Sequence, residues 1–191
     1  MGVKIEGWQR QRQWMADLLK RRTGEDLETW NARIGAHDFA SEDALRSWLA
    51  ERDVTGYSRD LLVMERFGYP DYLSTSADEL VDGQYADRPD LRPILDALLA
   101  RVATFGDMSI QARKGYISLV GPRRTWGAIQ PTTKRRVDLG LRLDGHEPGG
   151  RLEPAKSMGS GQVNLRIGLT TVDEVDDEVD AWLQRAYEAN R

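Results

Sequence analysis

The sequence predicts an α+β protein: a small N-terminal helical unit, then a five-stranded antiparallel sheet with two helices packed on one face. Three observations predict it. Apolar residues recur at helical spacing between residues 14 and 67, the apolar period switches to two after Gly106, and helical spacing returns after Thr171.

Each element follows in order. Trp14, Met15, Leu18 and Leu19 form one apolar stripe, ended by Thr23-Gly24. Leu27, Trp30 and Ile34 form a second. Ser41 suits the N-cap of a third helix, with Glu42 and Asp43 in its first turn before Leu45, Trp48 and Leu49. A fourth helix, around 58–67, carries Leu61, Leu62 and Met64 and stops at Gly68 and Pro70. These predict a helical domain over 1–68. Residues 69–89 lack clean periodicity and mix Pro, Ser, Gly and Asp, which predicts a connector.

The α+β domain is expected over 90–191. Asp90 is placed to cap a helix whose stripe is Leu91, Ile94, Leu95, Leu98, Leu99 and Val102. Strands are expected at 108–114, 116–120, 126–130, 136–143 and 163–169. In the fourth, Val137, Leu139, Leu141 and Leu143 alternate with Arg136, Asp138, Gly140 and Arg142. In the fifth, Val163, Leu165, Ile167 and Leu169 alternate with Asn164, Arg166 and Gly168. Such alternation suits an antiparallel sheet with one buried face. The last helix is expected to open with the capping box Thr171…Glu174 and to bury Val175, Val179, Trp182, Leu183 and Tyr187.

Composition narrows the function. At 191 residues, 40% hydrophobic and 30% charged, the chain can build a core and remain dissolved. The absence of cysteine excludes disulfides, thiol catalysis and thiolate metal sites, and two histidines, His37 and His146, exclude a histidine-rich metal centre. No apolar run approaches the ~20 residues of a membrane helix, so a cytoplasmic protein without membrane contact is expected. The net charge of −4 hides an asymmetry: residues 105–170 carry 11 basic and 5 acidic side chains, between two acidic ends. A basic middle hints at an anionic partner or at self-complementary packing.

The usual catalytic signatures, including phosphate-binding loops, the zinc-protease helix motif and the nucleophile elbow, are missing, so no catalytic residue, metal or cofactor is assigned. The acidic run Asp173, Glu174, Asp176, Asp177, Glu178 and Asp180 reads as a solvated helix face. The polar face of the sheet carries more. If the alternation holds, Arg113, Tyr116, Trp126, Gln130, Arg136, Arg142 and Arg166 share it, with Lys134 in a basic turn beside it. Arginines beside aromatic rings suit base stacking and phosphate neutralisation. Trp14, Trp30, Trp48 and Trp182 fall on apolar helix stripes and are expected in cores.

Two stretches, MADLLKRRTGEDLETWNARI and EDALRSWLAERDVTGYSRDLLV, resemble the small helical domain catalogued as domain of unknown function 4287. The chain departs from that pattern at Tyr57-Ser58, where the family tends to show Tyr-Ala or His-Ala. From Tyr85 onward the chain resembles domain of unknown function 5655, through RPILDALL, ARKGYISLV, TWGAIQPTTKRRVDLGLRL, GRLE and EVDAWLQRAYE. The two are commonly fused in this order in bacterial proteins, and the second is distantly similar to YdhG-like αβ domains. The resemblance implies a binding role rather than catalysis.

The expected function is therefore a non-enzymatic binding protein that presents the basic, aromatic-bearing sheet face to an anionic ligand such as nucleic acid. One alternative is an interaction module that docks a protein partner or a second copy. Another is a metal-dependent hydrolase or nuclease using Asp138 with Lys134 or Arg136.

Overall fold

The structure, a computed structural model, describes residues 5–70, 73, 75–156 and 158–191. The chain divides into two compact units: residues 7–75, and residues 76–191 together with the first six. Of the predicted connector, residues 71, 72 and 74 lie outside the described residues.

The first unit holds α1 (Trp8–Thr23), α2 (Leu27–Gly35), α3 (Glu42–Ala50) and α4 (Gly56–Phe67). Local chemistry sets the helix ends. Gly24 follows α1 at φ +78°, a left-handed turn that glycine adopts without strain, and its N–H reaches Lys20 O at 2.9 Å. The Asp26 and Ser41 side chains cap α2 and α3 by accepting from the N–H groups of Thr29 (3.0 Å) and Ala44 (3.2 Å). The core of this unit gathers Leu19, Trp30, Ile34, Leu45, Leu49, Val54, Leu62 and Val63, with Trp48 half-buried against it. Trp14 departs from the expectation. It is 44% exposed, because α1 turns Met15 and Leu19 inward instead.

The second unit is α+β, as the sequence predicts. Its sheet has seven strands rather than five: β1 (Ile5–Glu6), β2 (Ser109–Ala112), β3 (Ile117–Val120), β4 (Thr125–Thr133), β5 (Arg136–Leu141), β6 (Glu153–Pro154) and β7 (Leu165–Leu169), in the order β1-β2-β3-β4-β5-β7-β6. Six strands pair antiparallel, and β1 adds to β2 in parallel. The two additions are two residues long, too short to show any alternation.

Three helices rather than two contribute to the core of this unit: α5 (Ala77–Tyr85), α6 (Arg92–Val102) and α7 (Asp177–Asn190). Within the span read as connector, α5 opens with the reciprocal Ser76–Glu79 capping box and buries Val81 and Tyr85. Asp90 does not cap α6. It lies inside a 3₁₀ turn, Pro89–Leu91, that runs directly into the helix. The Thr171…Glu174 box closes another 3₁₀ turn, Val172–Glu174. Val175 then leaves helical geometry at ψ +68°, and Asp176 caps α7 by accepting from Val179 N–H at 3.1 Å. Among the described residues no helix is long and apolar enough to cross a membrane.

Candidate ligand-binding face of the sheet

Strand alternation builds the site. Val137, Leu139 and Leu141 of β5 and Leu165, Ile167 and Leu169 of β7 enter the helix-covered core. Arg136, Asp138, Gly140, Arg166 and Gly168 therefore share the opposite face. Register then lines up two transverse rows. One runs Gln111, Ser118, Ala128, Gly140, Arg166 and Glu153, and the other Gln130, Asp138 and Gly168.

Asp138 is fully buried at the centre of this face. Two guanidinium groups converge on it. Arg136 sets Nε 2.9 Å from Oδ1 and donates from Nη2 to Oδ2 at 3.2 Å, and Arg166 donates from Nη1 to Oδ2 at 2.9 Å. The outer edge of Arg166 donates from Nη2 to the exposed Glu153 Oε2, also at 2.9 Å. Glycine makes the convergence possible. A Cβ on Gly168 would lie 2.9 Å from Arg136 Cδ, so the arginine stem crosses the sheet over that position. A buried carboxylate needs such partners, since an unpaired charge in a low dielectric costs on the order of several kcal/mol. Both Asp138 oxygens face arginines, which leaves this carboxylate poorly placed as a metal ligand or a base. Among the described residues no group of three or more His, Asp or Glu side chains is placed to hold a metal ion.

The other predicted residues divide. Tyr116 and Gln130 do lie on this face, beneath the connection from β6 to β7. The Gln130 Oε1 accepts from Gly159 N–H at 2.7 Å, and a Cβ on Gly159 would stand 2.9 Å from Tyr116 Cδ1. Met158 of the same connection fills the space over Gly140. Arg142 pairs with Asp144 (3.2 Å) and Gln162 (3.2 Å). Arg113 donates to Gln111 Oε1 at 2.7 Å. Lys134, strongly exposed, stands 3.8 Å from Asp87 and so is turned to that residue.

Trp126 is not on this face. It is fully buried in the helix-side core, with ring centroids 5.9 Å from Phe105 and 5.7 Å from Tyr187. A register irregularity is the cause: Leu119 pairs with Gly127 but Val120 with Thr125, so Trp126 is an extra residue on β4. A bulge of this kind breaks the alternation and re-aims one side chain.

The sequence pattern places Asp138 on the polar face and gives it a role only in the hydrolase or nuclease alternative, yet it is the residue that organises both arginines. One signal pointed to it: within the five predicted strands it is the sole acidic residue. Glu153, Met158 and Gly159 had no signal, because they reach the face through loop geometry. On the helix side, a groove of about 430 Å³ is lined by Ala100, Thr104, Phe105, Ala181 and Gln184 beside the Arg101–Asp180 ion pair. It gathers no comparable set of charges.

Residues 81–190 match the family described as Domain of unknown function (DUF5655). No curated protein and no solved structure matches the chain.

Proposed function

The chain belongs to the DUF5655 family, and on the geometry of its sheet we propose that it is a non-enzymatic, cytoplasmic binding protein whose polar sheet face takes an anionic, phosphate-bearing ligand such as nucleic acid. The observation that carries this reading is the convergence of Arg136 and Arg166 on the fully buried Asp138. The buried carboxylate fixes two long side chains before any ligand arrives, which lowers the ordering cost of binding. The Arg136 guanidinium, a third exposed, then presents a planar donor of the kind that grips phosphate, and a phosphate would take the place of Glu153 on the outer edge of Arg166.

Supporting features surround the pair. Tyr116 and Gln130 stand on the same face against Gly159, while Arg113, Arg142 and Lys134 would act as phosphate contacts that position without reading sequence. The proposal extends to the first unit, which we assign to the helical domain of unknown function 4287. The stretches carrying that likeness, 15–34 and 42–63, fall on the four helices of one compact unit.

The test is anisotropy titration of labelled single-stranded and duplex oligonucleotides at low and high salt. Arg136→Gln, Asp138→Asn and Arg166→Gln are combined, so that no lone carboxylate is left buried. The expected result is salt-sensitive binding by the native chain and at least about a tenfold loss in the triple variant. Unchanged affinity in a folded triple variant removes the face from consideration.

A further inference from the structure

We propose that the solvent face of α1 is a separate docking surface for single-stranded nucleic acid, with Trp14 and Tyr57 as stacking platform and Lys20, Arg21 and Arg22 as phosphate contacts. This inference lies in the helical unit and does not rest on the sheet-face reading.

The aromatic pair comes first. Among the described residues four large hydrophobic side chains are exposed, and Tyr57 (56%) and Trp14 (44%) are the two most exposed aromatic ones. A single exposed apolar residue calls for no explanation. Here α1 and α4 each contribute a ring, and the two meet edge to face at 5.3 Å while remaining open to water. Met15 and Leu19 show that α1 has a core-facing stripe, and Trp14 stands off it.

Charge identifies the occupant. Within 8–23, Arg10, Arg12, Lys20, Arg21 and Arg22 oppose only Asp17, whereas 24–75 carries 5 basic and 11 acidic residues. Positive charge is thus concentrated on one helix of an otherwise acidic unit. Gln9, Arg10, Gln13, Trp14, Asp17, Lys20, Arg21 and Arg22 are its exposed positions. Asp17 accepts from Gln13 Nε2 at 3.0 Å. At ~1.5 Å rise per residue, Arg21 lies about 10 Å along the axis from Trp14. Rings with flanking cations suit a strand whose bases are unstacked, since every base has a face to stack. A duplex keeps its bases inside. An anionic membrane would need a broad apolar face, and the glutamines interrupt this one. An acidic peptide would use the cations and leave both rings idle.

The test uses the full chain and a fluorescein-labelled 15-nucleotide oligothymidine in anisotropy titrations, with circular dichroism to confirm folding. Trp14→Ala with Tyr57→Ala is expected to weaken binding at least about fivefold. Trp14→Phe with Tyr57→Phe keeps the rings and is expected to stay within about twofold of the native chain, by the same stacking logic. Changing Lys20, Arg21 and Arg22 to Gln should weaken binding and flatten its salt dependence. The Ala pair should show its loss again when added to the triple sheet variant. The inference is overturned if the native chain does not bind oligothymidine, or if the Ala pair binds like the native chain. It is equally overturned if polyglutamate or phosphatidylserine vesicles compete as well as the oligonucleotide does. Loss confined to the triple sheet variant sinks this inference alone, and loss confined to the Ala pair leaves it standing while the sheet-face reading fails.

Discussion

Met158 fills the space that a side chain on Gly140 would need: a Cβ there would stand 2.7 Å from its Sδ and 2.8 Å from its Cε. Val163 Cγ2 would be equally close, at 2.8 Å. Gly140→Ala is therefore expected to destabilise by about 1–3 kcal/mol, the usual range for overpacking. Met158→Ala in that background should restore part of the loss. A double-mutant cycle by urea unfolding measures this coupling, and additive effects would mean the two positions are not in steric conflict.

Asp138 is held by two arginines and holds them in turn. Asp138→Ala is expected to cost about 3 kcal/mol, the lower end for breaking a buried pair, because both guanidinium groups still reach water. The charge-neutral triple variant should lose less than Asp138→Ala, since it strands no ion. Urea midpoints of the two variants decide the order, and the reverse order would mean the pairing is not what stabilises this face.

Trp126 belongs to the core, so its removal should harm stability and spare ligand binding. Trp126→Ala is expected to cost about 3–5 kcal/mol. Trp126→Phe, which keeps a ring against Phe105 and Tyr187, should keep native affinity for oligonucleotides at temperatures where it is folded. A selective loss of affinity in a stable Trp126→Phe protein would return this residue to the ligand face.

Two carboxylates just ahead of the last helix, Glu174 in the 3₁₀ turn and Asp176 at the N-cap, couple stability to acid. The Thr170 N–H, aided by Thr171 N–H, holds the Glu174 carboxyl below its ordinary value. The Val179 N–H, aided by Arg151, does the same for Asp176. A depressed folded value means that the stabilisation is fully present above the unfolded pKa, roughly 4, and is lost as pH falls through the folded one. The Tm should be flat from pH 7 to 5 and fall below about pH 4. Glu174→Gln with Asp176→Asn should reduce that fall in calorimetric scans. An identical acid response in the double variant would place the titrating groups elsewhere.

Local residue patterning dictated the α+β class, the antiparallel ribbon and the polar character of one sheet face. It did so because Val137, Leu139 and Leu141 against Arg136, Asp138 and Gly140 form a period-two pattern that only one pleat satisfies. Caps such as Ser41 and the stop at Gly24 were legible for the same reason: they act over three or four residues. The remaining features depend on pairing between residues distant in the chain. The two-residue strands carry no period of their own and exist because β2 and β7 offer them an edge. Trp126 turns into the core because register with β3 makes it the extra residue. Trp14 stays in water because packing chose Met15 and Leu19 from four apolar neighbours. The meeting of Arg136 and Arg166 on Asp138 needs strands separated by the whole β6 excursion to lie side by side, with Gly168 leaving room. No local pattern encodes that distance, because adjacency in a sheet is fixed by the core beneath it and not by separation along the chain.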